Sequence, residues 1–178
     1  EFECLDGFSE SQPVYTNDEL QLLDSLQNNS KFEKCVNISN NLVRDNKKHV
    51  IWCIFIDTIL RLSDELRKQG IRVATIYGGI PSDEREKIIL DFQNNKYDIL
   101  VTNPHTLAES ISLHMVAHDA IYYEYSFNLT HMLQSRDRIH RLGLPEGQET
   151  NYYYLMLEGQ QNRRSTIDRK IYNRLEEK

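Results

Sequence analysis

The stretch Gln134-Ser135-Arg136-Asp137-Arg138-Ile139-His140-Arg141-Leu142-Gly143 concentrates side chains that handle anions. On a helix, at about 100° per residue, Gln134, Arg138 and Arg141 fall within roughly 60° of one another. Leu129, Met132, Leu133 and Ile139 take the opposite side. Such a helix packs with one face and shows two guanidinium groups on the other. Arginine rather than lysine suits planar, bidentate recognition of phosphate oxygens. A charged face that is simply solvated satisfies the same spacing.

Other chemistries are poorly served. None of the seven glycines is followed by Lys, so neither a Walker-type phosphate loop nor a dinucleotide fingerprint is present. The chain cannot cradle a triphosphate by itself. His114 and His118 are four apart and could share a helix face, but no Cys or third His stands at ligand spacing. No metal site is expected. Asp137 and His140 suggest a dyad, yet no Ser or Cys occupies a nucleophile elbow. Cys4, Cys35 and Cys53 have no paired spacing, so no disulfide partner is expected and a reducing, intracellular home fits.

The elements that must position these residues follow from the 178-residue length and patterning. With 39% hydrophobic and 27% charged residues the chain has the composition of one globular unit with a full core. Its most apolar stretch, Val50 to Ile56, is far short of the roughly 20 residues that cross a bilayer. No membrane partner is expected. The first residue is Glu1, with no basic start before an apolar segment, so the sequence reads as a piece of a longer chain.

The net charge of −6 is unevenly spread. Residues 1–29 hold seven acids and no Lys or Arg, and read as an acidic leader with a short amphipathic helix through Leu20, Leu22, Leu23 and Leu26. The remainder is close to neutral. From Ser30, a plausible cap, a helix runs through Phe32, Cys35, Val36 and Leu42. The continuous apolar run Val50 to Ile56 reads as a strand buried on both faces. Thr58 to Gln69 follows as a helix stopped by Gly70, then strand 71–76, a turn at Tyr77-Gly78-Gly79-Ile80-Pro81 and helix 83–94. Segments 99–102, 120–125 and 152–157 read as strands, with helices over 129–138 and 166–177. This alternation predicts an α/β domain, a mostly parallel sheet with helices on both faces.

Gln134, Arg138 and Arg141, within Asp137-Arg138-Ile139-His140-Arg141-Leu142-Gly143, closely resemble motif VI of superfamily 2 helicases in its Swi/Snf-type form. Further motifs resemble that family in order. Ile51 to Ile56 is similar to motif IV. Tyr77-Gly78-Gly79 with Arg85 and Phe92 is similar to the family's Asp-Gly-Ser-Thr turn, Arg and Phe-Asn. Ala117 to Asn128 resembles the strand ending in Asp-x-x-Trp-Asn, with Glu124, Phe127 and Asn128 at those positions. Ser30-Lys31 resembles the start of the lobe and Thr166-Ile167-Asp168 the Thr-Ile-Glu that opens its last helix. The resemblance covers residues 30–178. It departs at motif V, where Leu107 to Leu113 stands in place of Gly-Gly-x-Gly-Leu-Asn-Leu, and at Leu144, which follows Gly143 in place of Gln.

The resemblance implies the second of two RecA-like lobes, a three-layer domain, in an ATP-dependent DNA translocase. ATP with Mg2+ would bind between lobes, the phosphate loop and metal ligands coming from a first lobe of the same protein. Arg138 and Arg141 would stabilise charge on the transferred phosphoryl group and Gln134 would set the water or the arginine geometry. Glu109 and Ser112 would offer polar contacts to the nucleotide, beside the plain reading of a polar loop. Double-stranded DNA would meet backbone N–H groups near Gly78, Gly79, Thr102 and Asn103. Arg85 is expected instead to pair with a carboxylate of its own helix turn. A cytoplasmic or nucleoid-associated setting would follow. The alternatives are a non-catalytic docking domain of the same fold and a strand-separating RNA or DNA helicase.

Overall fold

The computed structural model describes residues 30–104, 106, 113–124, 129–140, 144, 147–157 and 166–176. The chain runs α1 (Ser30–Arg44), β1 (His49–Trp52), α2 (Ile56–Lys68), β2 (Val73–Ile76), α3 (Ser82–Gln93), β3 (Ile99–Thr102), β4 (Asp119–Tyr122), α4 (Leu129–Arg136), β5 (Asn151–Tyr154) and α5 (Ile167–Glu176). The leader over 1–29 lies outside the described residues.

The five strands pair in the order β2-β3-β1-β4-β5, and every pair is parallel. In register, Trp52, Ile76, Thr102, Tyr122 and Tyr154 end the strands together, so the loops that follow share one carboxyl edge. Alternation along each strand fills two cores. Val50, Trp52, Ala74, Ile76, Leu100 and Tyr122 face Phe92 of α3, Ile139 beyond α4 and Ile171 of α5. Ile51, Val73, Ile99, Val101 and Ile121 face α1 and α2 through Phe32, Cys35, Leu62 and Leu66. Burying each such aliphatic side chain contributes about 2 kcal/mol, and the two layers on the sheet give the RecA-like three-layer architecture.

Three helices end alike. Asn46, Gly70 and Asn95 have φ of 57°, 82° and 65°. After each, the next residue's N–H donates five residues back: Lys47 to Leu42 O at 2.8 Å, Ile71 to Leu66 O at 3.2 Å and Lys96 to Asp91 O at 3.0 Å. This is the Schellman stop, which needs a left-handed residue that Gly adopts freely and Asn tolerates. All three stops lead into strands, so the C-termini of α1, α2 and α3 gather at the amino edge of the sheet and their N-termini at the carboxyl edge.

The run Val50 to Ile56 is not one strand. β1 stops at Trp52, and Phe55 and Ile56 are 66% and 44% exposed. The cause lies across the sheet: the Glu124 carboxylate takes the N–H groups of Ile54 and Phe55 at 2.9 and 3.0 Å, turning the chain out of the ladder and into α2.

Candidate functional site

The arginine-bearing segment is positioned from the sheet. Trp52, Tyr122, Tyr154 and Tyr172 form a run of rings from β1 through β4 and β5 to α5, with successive centroids 6.4, 4.8 and 5.4 Å apart. The buried Tyr122 hydroxyl meets Ser135 Oγ at 2.8 Å, and Ser135 Oγ donates to Met132 O at 2.7 Å. A hydroxyl pair inside an apolar layer ties α4 to β4, since the buried Tyr122 hydroxyl would be left unsatisfied without Ser135. Burial is the main cause holding the Tyr122 phenol well above its ordinary pKa.

Beyond Arg136 the helix tightens rather than continuing. Arg138 N–H reaches Ser135 O at 3.3 Å and Ile139 N–H reaches Arg136 O at 3.1 Å, both three-residue steps. Ile139 is fully buried, and the Arg138 carbonyl accepts the Leu113 N–H at 2.9 Å. This corrects the expected helix over 129–138 and with it the even 100° spacing of three residues on one face. Gln134 is exposed on α4, Arg138 is half-buried in the following turn, and Arg141 lies outside the described residues. Arg136, from the last turn of α4, stacks its guanidinium 4.9 Å from the Tyr152 ring centre.

At the carboxyl edge, Gly78 and Gly79 form the exposed turn after β2, closed by Ile80 N–H to Tyr77 O at 3.0 Å. A Cβ on Gly79 would stand 3.0 Å from the Tyr77 ring, so the ring would have to give by a few tenths of an ångström. Thr102 is buried, whereas Asn103 is half-buried and holds the next turn by accepting the Thr106 N–H at 2.8 Å. Arg85 does not behave as expected. Among the described residues its guanidinium donates to Ile80 O at 2.6 Å and Thr106 O at 3.5 Å, bridging the turns after β2 and β3 rather than pairing with a carboxylate of its own helix. Glu109 and Ser112, like Phe127 and Asn128, lie outside the described residues.

Two partnerships here were not visible in the sequence. Glu124 spans from the end of β4 to the start of α2. Lys31 and Asp168 form an ion pair at 2.7 Å with side chains only 7% and 16% exposed, and Asp168 also accepts the Leu157 N–H at 3.0 Å. The signal was limited to type: a carboxylate just past a strand, and a basic residue starting the lobe matched by an acid opening its last helix.

Clefts of about 490 and 430 Å³ open at the amino edge, lined by Lys47 and Lys48 in both and by Arg72, Asp98, Asp119 and Glu149 in one or the other. They touch none of the expected site residues. Their cations sit where three helix C-termini gather, which accounts for them electrostatically. His49, at the start of β1, is fully buried with its Nε2 unpartnered, and desolvation brings its pKa down to about 4. His114 stands in a turn and His118 just before β4 rather than on a helix face, and among the described residues no group of three His, Cys, Asp or Glu could hold a metal ion.

The described residues suit an anionic partner in two places: the Gln134 to Arg138 segment, and the carboxyl edge where helix N-termini and the Gly78-Gly79 turn gather. Comparison with known proteins agrees with the architecture. The Fun30 ATPase domain's C-terminal part superposes with TM-score 0.71 at 22% identity, over 89% of this chain and 47% of that one. S. cerevisiae Dbp5 bound to RNA and ADP BeF3 gives 0.67 at 16% identity, over 83% and 35%. At such identities these establish the fold. An uncharacterized ATP-dependent helicase of Mycoplasma pneumoniae is 27% identical over 124 residues, 66% of this chain and 12% of the relative. The ATP-dependent RNA helicase RhlB of Pseudoalteromonas atlantica is 32% identical over 83 residues, 47% of this chain and 18% of the relative. The chain thus spans less than a fifth of the length of these curated relatives. Residues 30–143 match the family described as the helicase conserved C-terminal domain, and with a RecA-like parallel sheet beneath that match the chain belongs to this family.

Proposed function

We propose that this chain is the second motor lobe of an ATP-dependent translocase of the Swi/Snf type, working on duplex DNA against a first RecA-like lobe. The observation that carries the reading is the locked turn at Arg138. Its carbonyl is held by Leu113, its N–H by Ser135 and its neighbour Ile139 by the core, so the backbone offering the guanidinium is fixed before any nucleotide arrives. Preorganised charge of this kind stabilises a transition state without reorganising at the moment of reaction.

In this reading ATP with Mg2+ supplies the transferable phosphoryl group, and the metal ligands and phosphate loop come from the first lobe. Arg138 and Arg141 bind the phosphate oxygens, and Gln134 orients them or a water by hydrogen bonding. Glu109 and Ser112 line the nucleotide side. The helix N-termini and N–H groups near Gly78, Gly79 and Asn103 meet backbone phosphates across the carboxyl edge, with Thr102 supporting Asn103 from beneath.

An RNA helicase lobe is the second reading, favoured by the RhlB relatives, whose names give RNA helicase activity. Steady-state ATP hydrolysis by the two-lobe protein, titrated with duplex DNA and with RNA, separates them. Stimulation by duplex DNA at lower concentration supports the Swi/Snf reading, and stimulation by RNA alone overturns it.

A further inference from the structure

Seven large apolar side chains stand exposed among the described residues, and three of them, Phe55, Ile56 and Leu60, gather at the start of α2. Ile56 and Leu60 are four apart and so share one face of the helix, and Phe55 is the residue from which it starts. The Glu124 carboxylate holds this start in place, accepting the N–H groups of Ile54 and Phe55 at 2.9 and 3.0 Å and the Thr58 hydroxyl at 2.8 Å. The result is a short apolar stripe on the surface.

Two contacts bring the first turn of α1 beside that stripe. Lys31 Nζ stands 5.2 Å from the ring centre of Tyr123, the neighbour of Glu124, and the Arg61 guanidinium, next to Leu60, stands 5.4 Å from the ring centre of Phe32. Ser30, where residues 1–29 join the fold, is exposed. The acidic leader therefore enters the lobe next to the stripe, and its leucines suit it. At about 100° per residue Leu20, Leu22, Leu23 and Leu26 occupy an arc of roughly 160°, with Gln21, Asp24 and Ser25 opposite. From Leu26 to Ser30 an extended chain reaches up to about 14 Å. A helix this short is marginal alone in water and holds only against a partner. With seven acids and no Lys or Arg, the leader has an apolar face to offer rather than a charge for an anionic polymer.

We propose that Phe55, Ile56 and Leu60 form the docking surface for the leader of the same chain, whose leucine face lies on them as an additional helix of the α1–α2 layer. The tether favours this occupant over a second copy, because a short connection holds the leader near the stripe at an effective concentration of about millimolar. The docking involves neither nucleotide nor nucleic acid. It stands or fails separately from the motor-lobe reading.

The test is amide hydrogen exchange of the 178-residue chain, read by mass spectrometry over the leader leucines. Residues 20–26 should exchange at least about tenfold more slowly than an unstructured chain. Leu60→Asp puts a charge into the stripe and should return them to the unstructured rate while β1 and β3 stay protected. Phe55→Ser removes the ring at a helix-cap position that Ser favours, and should release the leader even if Leu60→Asp fails to fold. Leu90→Asp, at an exposed position of α3 on the other layer of the sheet, should leave the leader's protection as it is. Leader amides that exchange freely in the parent overturn the proposal. So does a leader that stays protected in Phe55→Ser or in a folded Leu60→Asp, or one that Leu90→Asp releases equally. Protection that fades on dilution, with a doubled mass at high concentration, makes a second copy the occupant and overturns it too.

Discussion

The backbone N–H of Leu113 donates to the carbonyl of Arg138 over 2.9 Å, joining the segment that leads into β4 to the turn that follows α4. Both ends of this bond are sunk in the same core, through Leu113 itself and through Ile139. In the proposed reading the two segments flank the nucleotide side of the cleft, and this bond ties their backbones together.

The hydroxyl pair that ties α4 to β4 has an asymmetric cost. Ser135→Ala strands the buried Tyr122 hydroxyl and should destabilise the fold by about 1–3 kcal/mol, whereas Tyr122→Phe leaves Ser135 its bond to Met132 O and should cost about 1 kcal/mol. Urea unfolding of the two variants checks the order. Equal costs would mean that the pair does not act as described.

His49 predicts an acid-labile window. Burial lowers its folded pKa to about 4, while in the unfolded chain it returns near 6.5. Above pH 6.5 both states are neutral and the group contributes nothing to the pH dependence. As pH falls from 6.5 toward 4 only the unfolded chain takes the proton, so stability is lost, by about 3 kcal/mol at most. Below about 4 the loss levels off. His49→Leu should remove this component, seen as a smaller fall in unfolding free energy between those pH values than the parent shows. Parallel curves would rule it out.

The isolated 178-residue chain should not turn over ATP, because it has no phosphate loop and one lobe leaves a triphosphate largely in water, where charge stabilisation is weak. Phosphate release assays on the purified chain with saturating duplex DNA check this. Stimulated turnover that survives removal of contaminating ATPases would contradict it.

Much of the fold was legible because the signals were local. Ile99 to Thr102, four apolar or β-branched residues buried on both faces, is a strand in sequence and structure alike. Gly70 announced the end of α2. Asn46 and Asn95 do the same work less visibly, because Asn in the left-handed region is an option rather than a habit. What was not legible depended on distant partners. Ile54 and Phe55 are pulled from the sheet by a carboxylate 70 residues on, and Arg85 chooses carbonyls of two loops that only the sheet order brings together. The site shows the same division. The residue types around Arg138 could be read, but the early end of α4 follows from Ile139 entering the core and Leu113 claiming the Arg138 carbonyl, neither of which helical periodicity can express.

The most direct measurement is steady-state ATP hydrolysis by the two-lobe protein carrying Arg138→Ala or Arg141→Ala, at saturating nucleic acid. If each guanidinium stabilises charge on the transferred phosphoryl group, turnover should fall by roughly 10² to 10⁴ while nucleotide affinity changes far less. Lysine at Arg141 should not rescue it, because a point charge lacks the bidentate fork. Arg136→Ala, which loses the contact with Tyr152, is the control and should stay within a few-fold of the parent. Normal turnover in both the Arg138 and Arg141 variants would contradict the account.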